Sequence, residues 1–435
     1  MVTMDRELEP EVVTIARAAV ADCRADERCR RRAESLAIDA SVMAERRVHL
    51  VGAGKAVSAM ARGAIDGLRS RFGPSPVREG LAVTKDDHAA GFAAEAVELL
   101  FASHPMPDQR SAAAGAALRR RLSFVPREDH VVALVSGGAS SLIATPVDGL
   151  DVAALRRATD VMLGSGVGIE AMNGVRKHLT SASGGRLAEL CAAPIDVLVV
   201  SDVLSDDLGS IGSGPFAPDP TTYEQALEVV SSLADFPAPA RLVLEEGARG
   251  ERPETPAGDH PCFSRVRHHV VASHASLIEA ACARAEKAGY RVTQLPPFEG
   301  DVSDAAVRLL EASAKLSVGE VVVTGGEPTV VLPEPHGRGG RNQHLALLVA
   351  GGLAGGPPRR FVALGSDGTD GPTDAAGAWV DDQTLRRLSA TGDPDEAVDR
   401  ADAYPLLQRH GHLVTTGATG TNVLDLHLLI APRSD

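Results

Sequence analysis

Two glycine turns carry the residues of this sequence best suited to chemistry. The first, VGAGKA at 51–56, sets Lys55 directly after Gly52 and Gly54, between a short apolar run and a helical pattern. The second lies in VVALVSGGASSLIATP at 131–146, where a β-branched run leads into Ser136, Gly137, Gly138, Ala139 and Ser140. A strand that ends in a glycine turn and opens a helix aims several free backbone N–H groups at one spot. That spot favours an anion, most often a phosphate. Two glycines at the turn let a ligand approach the backbone with no Cβ in the way. For either turn alone, a plain connection that binds nothing is the competing explanation. The design recurs, however. Asp202, Asp206 and Asp207 follow the apolar run at 195–201; Glu327 follows the run at 320–324; Arg341 and Asn342 sit where GRGGRNQ (337–343) opens a helix; and Asp367 and Asp370 follow the run at 361–364. Residues just past the carboxyl ends of strands are where open α/β sheets bind ligands.

Lys55 stands out by scarcity: of 44 Lys and Arg residues only five are lysine. A cation at a helix N-terminus adds to the local positive potential, so an anion ligand is the favoured reading and a solvent-facing lysine the competing one. VGAGKA matches a Walker A loop only in part, because Ala56 stands where Ser or Thr is required. It also misses the dinucleotide fingerprint, whose third glycine is replaced by Val57.

Composition narrows the partners. The 435 residues are 44% hydrophobic, 23% charged and 3% aromatic, with a formal net charge of −14. A globular chain of two or three domains follows from the length. The acidic balance argues against a nucleic-acid or anionic-membrane partner. No apolar run reaches membrane length, and the acidic start MVTMDRELEPEVV is unlike a signal peptide, so a cytoplasmic location is expected. Five scattered cysteines without a CxxC pair read as reduced thiols and make a zinc site improbable.

The elements that must position these residues alternate between strand and helix patterns. Helices are expected at 11–40 (with a break near residue 25), 56–68, 152–163, 169–179, 223–233, 240–247, 275–288, 304–316 and 344–350. Strands are expected at 48–51, 81–83, 97–101, 131–135, 195–201, 269–272, 290–294, 320–324, 361–364 and 424–431. This predicts an α/β fold of two Rossmann-like α/β/α domains, 1–250 and 262–435, with mostly parallel sheets. The proline-rich stretch at 250–261 is the expected linker.

Nine segments in order carry a resemblance: VGAGKA, HPMPD, VSGGASSL, VRKHL with GGRLA, SDVLSDDLGSIGSGP with PDPTTY, GGEPTV, GRGGRNQ, GSDGTDGPTDAAGA and TGATGTNVLDL. Together they resemble the glycerate 2-kinase family, whose C-terminal part is the MOFRL domain, over nearly the whole chain. The resemblance implies ATP-dependent phosphorylation of D-glycerate on its 2-hydroxyl and an active site in a cleft between two α/β domains. Phosphoryl transfer needs a phosphate cradle, cations over the transferring group, carboxylates for Mg²⁺ and an aligned hydroxyl. On that reading Ser136, Gly137, Gly138, Ala139 and Ser140 cradle phosphate, with Glu327 and Asn342 also lining the binding site. Lys55 and Arg341, which match the lysine and arginine placed in the family's active site, neutralise the transferred group and the glycerate carboxylate. The planar arginine fork suits the carboxylate better. Asp202 and Asp206 align the hydroxyl or accept its proton, and Asp367 and Asp370 hold magnesium, with turn or helix capping as the competing role for each. The implied partners are ATP, Mg²⁺ and the small acid, with a homodimer as the assembly allowed for.

Departures from the family pattern (Ser183, Leu204 with Ser205, Phe216, His344 and Ala418) bear on the acceptor more than on the reaction. Three alternatives stay open: a kinase of another small hydroxy acid, a binding relative with weak catalysis, and a hydroxypyruvate reductase, which the absent dinucleotide fingerprint disfavours.

Overall fold

The structure, a computed structural model, describes residues 10–433 apart from 40, 43–44, 46, 87, 89–91 and 93–95. The chain divides into two compact units, one built from residues 25–271 and the other from the N-terminal segment to residue 24 together with 272–433. The division expected near 250–262 therefore lies elsewhere, and the first helix belongs with the C-terminal half. That helix, Glu11–Asp22, is held there by polar contacts: the Tyr290 hydroxyl donates to Glu11 at 2.6 Å, and Arg284 forks onto Asp22 at 2.7 and 2.6 Å.

In the unit 25–271 six strands lie in the order β3-β2-β1-β4-β5-β6: β1 Val48–Ala53, β2 Val77–Lys85, β3 Val97–Ala102, β4 His130–Ser136, β5 Ile195–Val200 and β6 Val266–Ala272. The pairs β2–β3, β1–β2, β1–β4 and β4–β5 are parallel, as the sequence led one to expect. Strands β1, β4 and β5 are buried along their whole length, which is why they read as apolar runs, each carrying one buried ionisable residue, His49, His130 and Asp196. From β1 the chain winds outward to β2 and β3, then returns to the other side for β4 and β5. The carboxyl ends of β1 and β4 thus flank the point where the strand order reverses. Val51, Val83, Val131, Ala133, Val135 and Val199 lie in the core packed on this sheet. A second core ties together the helices Val152–Gly164, Ile169–Leu179, Tyr223–Ser231 and Ala238–Ala248.

The expected linker is folded into this unit. Thr255 is buried and donates to Asp219 at 3.1 Å, while Glu254 accepts the Tyr223 N–H at 3.1 Å and bonds His178 at 2.9 Å. The prolines set an extended backbone, and the polar residues between them fasten it.

The other unit holds a mixed sheet in the order β12-β11-β10-β13-β9-β7, with β8 also on β9: β7 Arg291–Gln294, β8 Phe298–Asp301, β9 Glu320–Thr329, β10 Arg360–Gly365, β11 Gly377–Asp381, β12 Leu413–Val414 and β13 Asp425–Ile430. Only β7 and β8 run parallel to β9; the pairings β9–β13, β13–β10, β10–β11 and β11–β12 are antiparallel. Here the expectation of a mostly parallel sheet gives way, because β13 is inserted between β9 and β10 in the reverse direction. No described helix is long and apolar enough to cross a membrane.

Candidate functional site

In the unit 25–271, the two glycine turns are knitted to each other. The Lys55 N–H donates to Gly137 O at 2.9 Å, and the Ala56 N–H donates to the Ser136 hydroxyl at 3.1 Å. Gly54, at φ +138°, backs directly onto Ser136: a Cβ there would lie 2.7 Å from the Ser136 carbonyl oxygen. Ser136 is thus a structural tie between the turns, although it was expected in the cradle. Gly138, at φ +82°, precedes the single helical turn Ala139–Leu142, whose first N–H groups receive no side-chain cap.

Three side chains converge on the 137–138 turn. A Cβ at Gly138 would lie 2.9 Å from the His104 ring and 3.3 Å from Lys55 Cε, and a Cβ at Gly137 would fall on the Asp202 carboxylate, 2.5 Å from its Cγ. Lys55 forms no ion pair with any described residue. His104 is kept neutral: burial first, then the charges of Lys55, Lys85, His88 and Arg176, lower it to about 4. In the sequence, the HPMPD segment is the one signal His104 offers. In the loop after β5, Asp206 takes φ +52° and its Oδ1 is buried without a hydrogen-bond partner. Asp207 instead caps its own turn, accepting the Ser210 hydroxyl at 2.6 Å.

The second group of expected residues lies in the other unit, at the start of the helix Arg341–Leu353. Arg341 forks onto Asp425, Nε to Oδ2 at 2.6 Å and Nη2 to Oδ1 at 3.1 Å, while Nη1 reaches Glu327 at 3.0 Å. Three of its five N–H groups are spent, and two remain for a ligand. Glu327, expected to line the binding site, acts on Arg341. Asp370 is 2% exposed, and its Oδ1 accepts the Asn342 N–H at 3.0 Å while Oδ2 accepts the Gln343 N–H at 2.8 Å. Capping of the Arg341 helix, which competed with metal binding in the sequence, is the role this geometry gives it. Asn342 is fully buried, with Nδ2 on Asp370 at 3.3 Å and Oδ1 on His427 at 3.2 Å, so its amide faces protein at both ends.

Asp425 went unnoticed in the sequence. It is the acid that opens β13, a strand apolar except for Asp425 and His427, and that mismatch is the signal it offered. Burial pushes the Asp425 carboxyl up to about 7, with the Asp370 charge adding to the cost, and pushes Asp370 up to about 6, while Arg341 pulls both down. Burial opposes the charge on Arg341, but Asp425 and Glu327 together outweigh it and hold the guanidinium more firmly protonated. Burial lowers His427 to about 3, so it is neutral beside Asn342.

For a divalent cation the donors differ in fitness. Among the described residues no group of three His, Cys, Asp or Glu side chains could hold a metal alone. Mg²⁺ seldom needs such a group, since one or two carboxylates with substrate phosphates and water suffice. Asp370 fits poorly, being buried and committed to backbone N–H groups. Asp367 fits better: it is half-buried, and Oδ1 alone is engaged, by the Thr369 N–H at 2.9 Å and hydroxyl at 3.0 Å.

Comparison with known proteins covers the chain almost end to end. The family model of a domain of unknown function (DUF4147) matches residues 11–244, and the MOFRL family model matches 320–425. The chain is 35% identical over 396 residues to the glycerate 2-kinase of Pyrococcus horikoshii, covering 88% of this chain and 87% of that one. A protein of Agrobacterium vitis named "Putative hydroxypyruvate reductase" is 36% identical over 393 residues, with 88% and 86% covered. The crystal structure of a glycerate kinase from Thermotoga maritima superposes with a TM-score of 0.86 at 32% identity, covering 97% of this chain and 98% of that one.

Proposed function

The chain belongs to the glycerate kinase family, and from that premise we propose that it transfers the γ-phosphoryl group of ATP to the 2-hydroxyl of D-glycerate, releasing 2-phosphoglycerate and ADP. The observation that carries the reading is the convergence of Lys55 and Asp202 on the 137–138 turn at the reversal point of a parallel sheet. A cation, a carboxylate and uncapped N–H groups suit a transferring phosphoryl group and the hydroxyl that attacks it. A nicotinamide reductase is less well supported, because the place of the third fingerprint glycine is filled by Val57, whose Cγ2 packs at Gly52.

In this reading Lys55 neutralises charge on the transferring group, and Asp202 aligns the 2-hydroxyl and accepts its proton. Asp206, whose Oδ1 is buried without a hydrogen-bond partner, is assigned the assisting role. His104 is neutral and adds a hydrogen bond without a further charge. In its own unit Arg341, held in orientation by Asp425 and Glu327, has two N–H groups left, a fork suited to a carboxylate or phosphate oxygen. Asp367 would hold Mg²⁺, which would supply neutralisation of phosphate charge. The test is a panel of C3–C4 hydroxy acids with ATP and Mg²⁺, following ADP, alongside hydroxypyruvate with NADH or NADPH. ADP release dependent on D-glycerate is expected. Pyridine-nucleotide oxidation without ADP release would overturn the assignment.

A further inference from the structure

Arg176, in the last turn of the helix Ile169–Leu179, turns inward to the same glycine turn. Its Nη2 donates to the Ser140 hydroxyl at 2.7 Å. No carboxylate among the described residues pairs with its guanidinium, although burial lowers its pKa. A basic residue at a helix C-terminus has an ordinary explanation in the helix dipole, but that does not require a half-buried guanidinium turned onto the Ser140 hydroxyl, and a charge drawn out of water with no acid beside it is costly unless another partner compensates it. The charge of Arg176 is also one of those that keep His104 neutral, which places it in the same electrostatic neighbourhood as Lys55.

Ser140 adds a constraint. Its oxygen accepts from Arg176 and also from the Ser213 hydroxyl at 2.9 Å. A hydroxyl has two acceptor positions and one proton. With both acceptor positions filled, the Ser140 proton is left to be donated.

We propose that Arg176 is a phosphate-binding residue of this site, and that with Ser213 it fixes Ser140 as a hydrogen-bond donor to the same phosphate. The inference rests on the phosphoryl-transfer reading for its ligand, but not for its geometry. The phosphate belongs either to the nucleotide or to the phosphorylated acid, and the two sources are separable.

The experiment is calorimetric titration of inorganic phosphate, ADP and 2-phosphoglycerate into the wild type, Arg176→Gln, Arg176→Lys and Ser140→Ala, with a melting curve for each. Arg176→Gln should weaken at least one of the three by tenfold or more, and Arg176→Lys should recover only part of the loss, because an ammonium cannot hold Ser140 and a phosphate oxygen in one plane. Ser140→Ala should weaken the same probe while folding normally, which keeps the test valid if Arg176→Gln fails to fold. A loss confined to ADP assigns the nucleotide phosphate; a loss confined to 2-phosphoglycerate assigns the transferred one. Unchanged affinity for all three probes in a folded Arg176→Gln, or in Ser140→Ala, overturns the proposal. A wild type that binds phosphate through Arg176 yet never phosphorylates glycerate would instead overturn the functional reading alone.

Discussion

Replacing Gly137 with alanine separates catalysis from stability at this site. The backbone at Gly137 is not in the left-handed region, so alanine brings no conformational strain. Its Cβ would lie 2.5 Å from Asp202 Cγ and nearer still to Oδ2, where ordinary contact begins at 3.4 Å, so the carboxylate must retreat by well over about 1 Å. The obstructed atoms are the far end of a side chain rather than backbone, so the main chain keeps its path. Misplacing a reacting group by about 1 Å costs on the order of 100-fold in rate, or about 2.7 kcal/mol of transition-state stabilisation. Gly137→Ala should therefore melt within a degree or two of the wild type while kcat/KM for glycerate falls about 100-fold, mainly through kcat. Gly138→Ala is the contrasting control: it meets both the His104 ring and a positive φ, so it should lose stability as well. Steady-state kinetics and melting curves on both variants decide the matter. Wild-type kcat/KM in a folded Gly137→Ala would refute the argument, because the position of Asp202 would then not matter to the reaction.

Lys55→Ala should fold normally and lose roughly 3–4 kcal/mol of transition-state stabilisation, the scale of one preorganised donor, with Lys55→Arg rescuing poorly; near wild-type kcat/KM would make it a surface residue. Asp367→Asn should raise the Mg²⁺ concentration needed for half activity about tenfold with an unchanged melting point. Asp370→Asn should do the opposite, destabilising by about 1–3 kcal/mol as an amide N–H₂ confronts a backbone N–H; a reversed pattern would exchange their roles. The neutral His104 and His427, lowered to about 4 and about 3, bind protons more weakly folded than unfolded. Their contribution is fully present above the unfolded value of about 6.5 and is lost as pH falls towards 3. Melting points should drop over that window, and imidazole NMR signals of His427 titrating near 6.5 would contradict the burial argument.

Much of the parallel half was legible because β1, β4 and β5 are buried on both faces and short turn residues mark their ends. Lys55 and the 137–138 turn were found for that reason. The strands β8 and β12, with four and two residues, are too short for any period to register. The direction of β13 was hidden as well, since a fully buried strand shows the same apolar run whichever way it points. Side-chain roles failed where the partner is distant in sequence. Asp425 meets Arg341 across 84 positions, and Asp370 meets Asn342 and Gln343 across 28 and 27, so neither the ion pair nor the cap has a local signature. The prolines at 250–261 read as a linker, because nothing local announces the buried Thr255 that anchors the stretch in its unit.

The position of the transferred phosphoryl group tests the central claim most directly. The purified protein is incubated with ATP, Mg²⁺, D-glycerate and enolase, with no phosphoglycerate mutase present, and absorbance is followed at about 240 nm. Only 2-phosphoglycerate is dehydrated by enolase, so the account predicts immediate formation of phosphoenolpyruvate, abolished in Lys55→Ala. ADP release without phosphoenolpyruvate until a mutase is added would place the phosphoryl group on the 3-hydroxyl and contradict it.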